Sequence, residues 1–100
     1  MSFRRRRFAD AIERQLDVFE HENAELLGRI ADARDAYSGA ADEPEERYSE
    51  LLDLVEIATD ELEEMRDAFA ATLDDDAAGE YEESFDRAFR KRFAILRVGG

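Results

Sequence analysis

The stretch Ile12–Tyr37, IERQLDVFEHENAELLGRIADARDAY, decides how the chain is read. Ile12, Leu16, Phe19, Asn23, Leu26, Ile30, Ala33 and Tyr37 recur at alternating spacings of four and three. Such a pattern lines up as one stripe on an α-helix. It predicts a long first helix from about Phe3 to Tyr37. Ser38-Gly39-Ala40-Ala41 then breaks the pattern, and Gly39 is placed to serve as a left-handed C-terminal cap.

A second stripe follows, made of Tyr48, Leu51, Val55, Ala58, Leu62, Met65, Phe69 and Thr72. Asp42 with Glu45 matches a capping box, and Pro44 falls in the first turn, where a missing N–H costs little. A second helix is therefore expected over about 43–73. Leu52, Leu54, Ile57 and Leu73 lie off its narrow seam, so the helix should touch more than one neighbour. Any of Asp74, Asp75 and Asp76 can cap a third helix over about 77–98. In it Tyr81, Phe85, Phe89 and Phe93 recur every four residues. Each step of four advances about 40° around the axis, so the rings wrap into a broad face. A broad face suits a helix lying in the groove between two others.

The expected fold is all-α, an up-down-up three-helix bundle with two long helices and a shorter third, in a single domain spanning residues 1–100. At 1.5 Å per residue the longer pair should project past the third helix, and self-association is the simplest way to cover the projecting ends.

Charge carries the second message. Asp and Glu number 27 against 14 Lys and Arg, and the basic set is thirteen arginines with Lys91. Acidic excess with scarce lysine resembles the composition of proteins from halophilic archaea. At about 1 M salt the screening length falls to about 3 Å, which removes the self-repulsion such a chain suffers in dilute buffer. The acids lie between Asp10 and Asp86, flanked by ends that carry +4 over residues 1–7 and +5 over 87–100. No cysteine is present, so disulfides, thiolate metal sites and thiol nucleophiles are excluded. The longest apolar runs are far shorter than the roughly 20 residues needed to span a bilayer. Asp10 and Glu13 interrupt any secretory h-region after Arg4–Arg7. A cytoplasmic location is expected, with no membrane partner.

Glu22 and Glu25, followed after 24 residues by Glu50 and Asp53, resemble the paired-carboxylate motifs of the MazG-like nucleotide pyrophosphohydrolases. The resemblance implies an all-helical, magnesium-dependent enzyme holding its metal on those four acids. Acid pairs three apart also occur at Glu43 and Glu46, Glu61 and Glu64, Glu64 and Asp67, Glu80 and Glu83, and Glu83 and Asp86, however. The core positions Asn23, Leu26, Leu51 and Val55 also turn these acids outward or to the flank. A solvated face tuned to salt accounts for them. His21, the single histidine, shares a helix face with Asp17 and Glu25, a sparse set for zinc and one that a solvated surface explains equally. No catalytic residue, metal ligand or cofactor is nominated. The terminal Gly99-Gly100 resembles the tail of ubiquitin-like modifiers, but helix termination by glycine accounts for it and no β-grasp pattern accompanies it. Gly28, inside the first helical pattern, is expected to allow close packing of a neighbour.

Candidate partner-binding residues are Arg4, Arg5, Arg6, Arg7, Asn23 and Arg92. Asn23 interrupts an apolar seam, where a polar group either fixes register and partner number in a coiled coil or hydrogen-bonds within one bundle. Arg92 falls in the third helix's apolar face, either snorkelling past the core or meeting a carboxylate across an interface. Arg4–Arg7 oppose the dipole at a helix start and so call for an anionic partner. Bracketed by Phe3 and Phe8 they suit nucleic acid, as a nucleic-acid-binding adaptor would. A body at −22 repels phosphate, and molar salt removes the counterion-release contribution. Carboxylates of another copy or another protein are the expected target. The expectation for the whole chain is a non-enzymatic interaction or assembly module, a homo-oligomer.

Overall fold

The structure, a computed structural model, describes residues 7–39 and 43–97. All regular structure among them is helical: α1 (Ala9–Glu22), α2 (Ala24–Gly39), α3 (Pro44–Ala70), α4 (Asp75–Arg92) and a closing 3₁₀ turn, Ala94–Leu96. The described residues are thus all-α, with four α-helices among them where three were expected.

The difference arises at Asn23. The continuous periodicity of residues 12–37 predicts one helix, yet Asn23 adopts φ −117° and ψ 25° and separates α1 from α2. Its Nδ2 donates to the carbonyl oxygen of Phe19 at 3.0 Å, beside its own backbone N–H on the same oxygen at 2.9 Å. The side-chain bond adds to the i→i−4 bond that Asn23's own N–H keeps, and such back-bonding to the preceding turn bends a helix. The break also marks a change of partner, since α1 packs chiefly on α4 and α2 chiefly on α3.

Other boundaries shift for identifiable reasons. The first described helix begins at Ala9, with Phe8 (φ −111°, ψ 3°) outside it and the Phe8 ring buried edge-on against Tyr81 at 5.5 Å. Residues 3–6, Asp42 of the expected capping box and the terminal diglycine lie outside the described residues. Gly39 is the last residue of α2 and does not take the left-handed conformation expected of it. The left-handed residue is Glu43, at φ 55°, immediately before Pro44 at the start of α3. Asp74 caps α4 by accepting from the Ala77 N–H at 2.9 Å. That helix ends at Arg92 and does not run on to 98, because Phe93 (φ −109°, ψ 65°) turns its own ring and Leu96 into the core.

Cross-helix pairs fix the directions. Gln15 meets Tyr81, and Asp17 and Glu20 meet Arg92, so α1 and α4 run parallel. Arg66 meets Asp86 and Phe69 meets Tyr81, so α3 and α4 are antiparallel. Tyr37 and Tyr48, 5.4 Å apart, bring the end of α2 to the start of α3. The predicted stripes are buried in part: Ile12, Leu16 and Phe19 from α1, Leu51, Val55, Ala58 and Leu62 from α3, and Tyr81, Phe85 and Phe89 from α4, whereas on α2 Ile30 alone is buried, Leu26 and Ala33 are half-buried and Tyr37 is exposed. The buried side chains form one cluster, and α3 contacts α2, α4 and the 3₁₀ turn, as its wide apolar surface suggests. Gly28 contradicts its expected role, since a Cβ there would meet no atom within 4 Å.

Candidate functional site

Two open grooves flank Arg92, where the last turn of α4 crosses α1. Arg90, Lys91 and Arg92 occupy that turn, and cations there are stabilised by the negative end of the helix dipole. Arg92 reaches across to α1, its Nη2 2.6 Å from Asp17 and 2.8 Å from Glu20, and its Nε 3.1 Å from Glu20. Its guanidinium lies 5.6 Å from the Phe93 ring, which in turn packs edge-on against Phe19 at 5.5 Å. The bond to Asp17 raises the guanidinium's pKa further above its ordinary value; partial desolvation opposes this and Glu20 adds to it. Of the two roles expected of Arg92, the structure shows a carboxylate contact, made between two helices of one chain.

On one side of Arg92 a groove of about 710 Å³ is bounded by His21, Leu27 and Ile95. On the other, a groove of about 690 Å³ runs between the parallel helices α1 and α4. Ile12 and Leu16 form its floor, Ala9, Ser84 and Ala88 keep its walls low, and Arg87 and Lys91 stand along its α4 rim. Among the described residues, Arg87, Arg90 and Lys91 make no ion pair, in contrast to Arg66, which is held by Asp86 and Asp67 at 2.8 and 2.9 Å. Sequence reasoning left this rim out, because the helix dipole accounts for cations at the end of α4 without any ligand.

The remaining nominated residues do not converge here. Asn23 is half-buried and spends its amide on Phe19, as described above. Arg7 lies 3.5 Å from Glu80 and 5.1 Å from the Phe8 ring. Arg4, Arg5 and Arg6 lie outside the described residues. Glu80 precedes Arg90 by about 15 Å along α4, so Arg7 and the Arg90–Lys91 pair mark different ends of that helix.

Glu22, Glu25, Glu50 and Asp53 are all exposed. Among the described residues no group of three or more His, Cys, Asp or Glu side chains is placed to share a metal ion. Asp17 is engaged by Arg92 and not by His21. On α3 the off-seam apolar residues separate: Leu52 and Leu54 are half-buried, whereas Ile57 is 51% exposed on the outer face. No helix among the described residues is long and apolar enough to cross a membrane. No family model matches the chain, and no curated protein or solved structure is significantly similar to it.

Proposed function

We propose that this chain is a non-enzymatic helical interaction module of a halophilic archaeon, acting in a salt-rich cytoplasm by assembling with copies of itself. On this reading α1 and α2 together form the first arm of an up-down-up arrangement. The observation that carries it is the segregation of charge. Arg87 and Lys91 form a cationic rim, with Arg90 beside them at the end of α4, and none of the three makes an ion pair among the described residues, on a chain whose net charge is −13. Another copy offers carboxylates for this rim, and short paired contacts persist where long-range attraction is screened.

Light scattering and circular dichroism across a KCl series test this reading. Helicity is expected to hold at molar salt and to decline in dilute buffer, where unscreened carboxylates repel across the bundle. Scattering mass is expected to rise with protein concentration at high salt. A monomer at about 1 mM protein, the weakest association worth about 4 kcal/mol, refutes assembly. A spectrum and melting temperature unchanged from about 0.05 to 2 M salt refutes the halophilic assignment.

A further inference from the structure

One helix face of this chain carries charge opposite to the α4 rim of the α1–α4 groove. On α3, Glu50, Asp53, Ile57, Glu61 and Glu64 follow at spacings of three and four, so they form a single outer stripe. All five are exposed, and Ile57 is the large apolar side chain among them, at 51%. None of the four carboxylates makes an ion pair among the described residues. Along α4 the groove presents the converse, an apolar floor at Ile12 and Leu16 beneath cations at Arg87 and Lys91, with Glu13 the single carboxylate lining it, on the α1 side. A cleft between two parallel helices accepts the side-chain ridge of a third, and the small residues Ala9, Ser84 and Ala88 leave room for its approach.

We infer that the groove between α1 and α4 is the docking site for the outer face of α3 of a second copy. Ile57 seats over Ile12 and Leu16, and the acids beside it pair with Arg87 and Lys91. The inference rests on the self-association reading and specifies its interface. Charge selects this occupant over the chain's own residues 1–6, whose Arg4, Arg5 and Arg6 would face the rim with like charge. The groove and the α3 face are different surfaces of one molecule, so the contact is head-to-tail. Each copy then keeps one free groove and one free face, and assembly continues into a ring or a filament.

Complementation between two disabled variants tests this geometry. Ile57→Glu spoils the face and leaves the groove intact; Arg87→Glu with Lys91→Glu spoils the groove and leaves the face intact. All three positions are exposed, and circular dichroism at molar salt confirms that both variants fold. Each variant alone is expected to scatter as a monomer at concentrations where the wild type associates. Mixed one to one, they retain a single productive contact and should form a closed dimer of about twice the 11.5 kDa chain mass. If the wild type associates and either variant still associates as it does, or the mixture stays monomeric, the interface lies elsewhere and this inference fails while self-association stands. If the wild type is itself monomeric at every concentration and salt, both fail. Binding of a different protein to the groove, with the α3 variant associating normally, also overturns it.

Discussion

Phe19 and Asn23 share one carbonyl oxygen between two donors: the Phe19 C=O accepts the Asn23 backbone N–H at 2.9 Å and the Asn23 Nδ2 at 3.0 Å. The doubled bond holds the chain at the point where α1 leaves off and α2 begins. Asn23→Ala has a higher helix propensity, but that gain applies to a regular helix, and residue 23 sits at the interruption between α1 and α2. Its expected effect is a net loss of about 0.5–1 kcal/mol in urea unfolding, from the missing side-chain bond. A more stable variant would show that the break owes nothing to the amide.

Gly28 offers a gain without a compensating clash. It sits inside α2 with open space where a Cβ would project. Gly28→Ala is expected to stabilise the protein by about 0.5–1 kcal/mol by limiting the unfolded chain and favouring the helix. Thermal melting of both proteins at one salt concentration measures it.

Arg92 ties the ends of α1 and α4 through Asp17 and Glu20. Exposed pairs of this kind are worth about 0–1 kcal/mol, and part of what Arg92 contributes is the packing of its stem beside Phe93. Arg92→Gln is expected to cost no more than about 1 kcal/mol in moderate salt, and less as salt rises. A double-mutant cycle with Asp17→Asn isolates the coupling. A coupling that grows with salt contradicts an electrostatic origin.

Tyr81 is fully buried, and its hydroxyl donates to Gln15 Oε1 at 2.7 Å. Burial pushes its pKa up to about 12, while the Gln15 bond and the nearby Arg66 work in the opposite direction. A folded value above the ordinary value of about 10 means the folded state favours the neutral phenol. Its contribution to stability is therefore complete below about pH 10 and is lost as pH climbs from 10 towards 12. Tyr81→Phe should cost about 0.5–1.5 kcal/mol at neutral pH, and its stability should fall less steeply over the alkaline range. Urea unfolding at a series of alkaline pH values reads both effects.

Arg7 faces Glu80 of its own chain, whereas the target expected of Arg4–Arg7 is a carboxylate of another copy or another protein. Replacing all four with serine is expected to leave nucleic-acid retention at background, because a chain at −13 repels phosphate and molar salt removes counterion release. Filter binding in roughly 2 M salt checks this, and tight retention by the wild type alone points to a nucleic-acid adaptor instead.

The sequence by itself determined the helical class, the buried residues of α1 and α4, most of those of α3 and the broad surface of α3, because alternating three-and-four spacing of apolar residues has one regular solution in which they share a face. It also bracketed α4's start among Asp74, Asp75 and Asp76, since an aspartate before a helical pattern satisfies an N–H that would otherwise lack a partner, and the structure chose Asp74. Where α1 ends was decided only in three dimensions. Asn23 continues the periodicity of its neighbours, and nothing in spacing distinguishes a seam asparagine from one that bonds back to Phe19 and lets successive helices take different partners. The early end of α4 has the same origin, because Phe93 and Leu96 reach the core only if the chain turns after Arg92. Arg92's carboxylates, the groove beside it and the isolation of Ile57 on α3 likewise depend on which helices lie side by side. Periodicity assigns a residue to a face, and tertiary packing assigns that face a neighbour or leaves it to solvent.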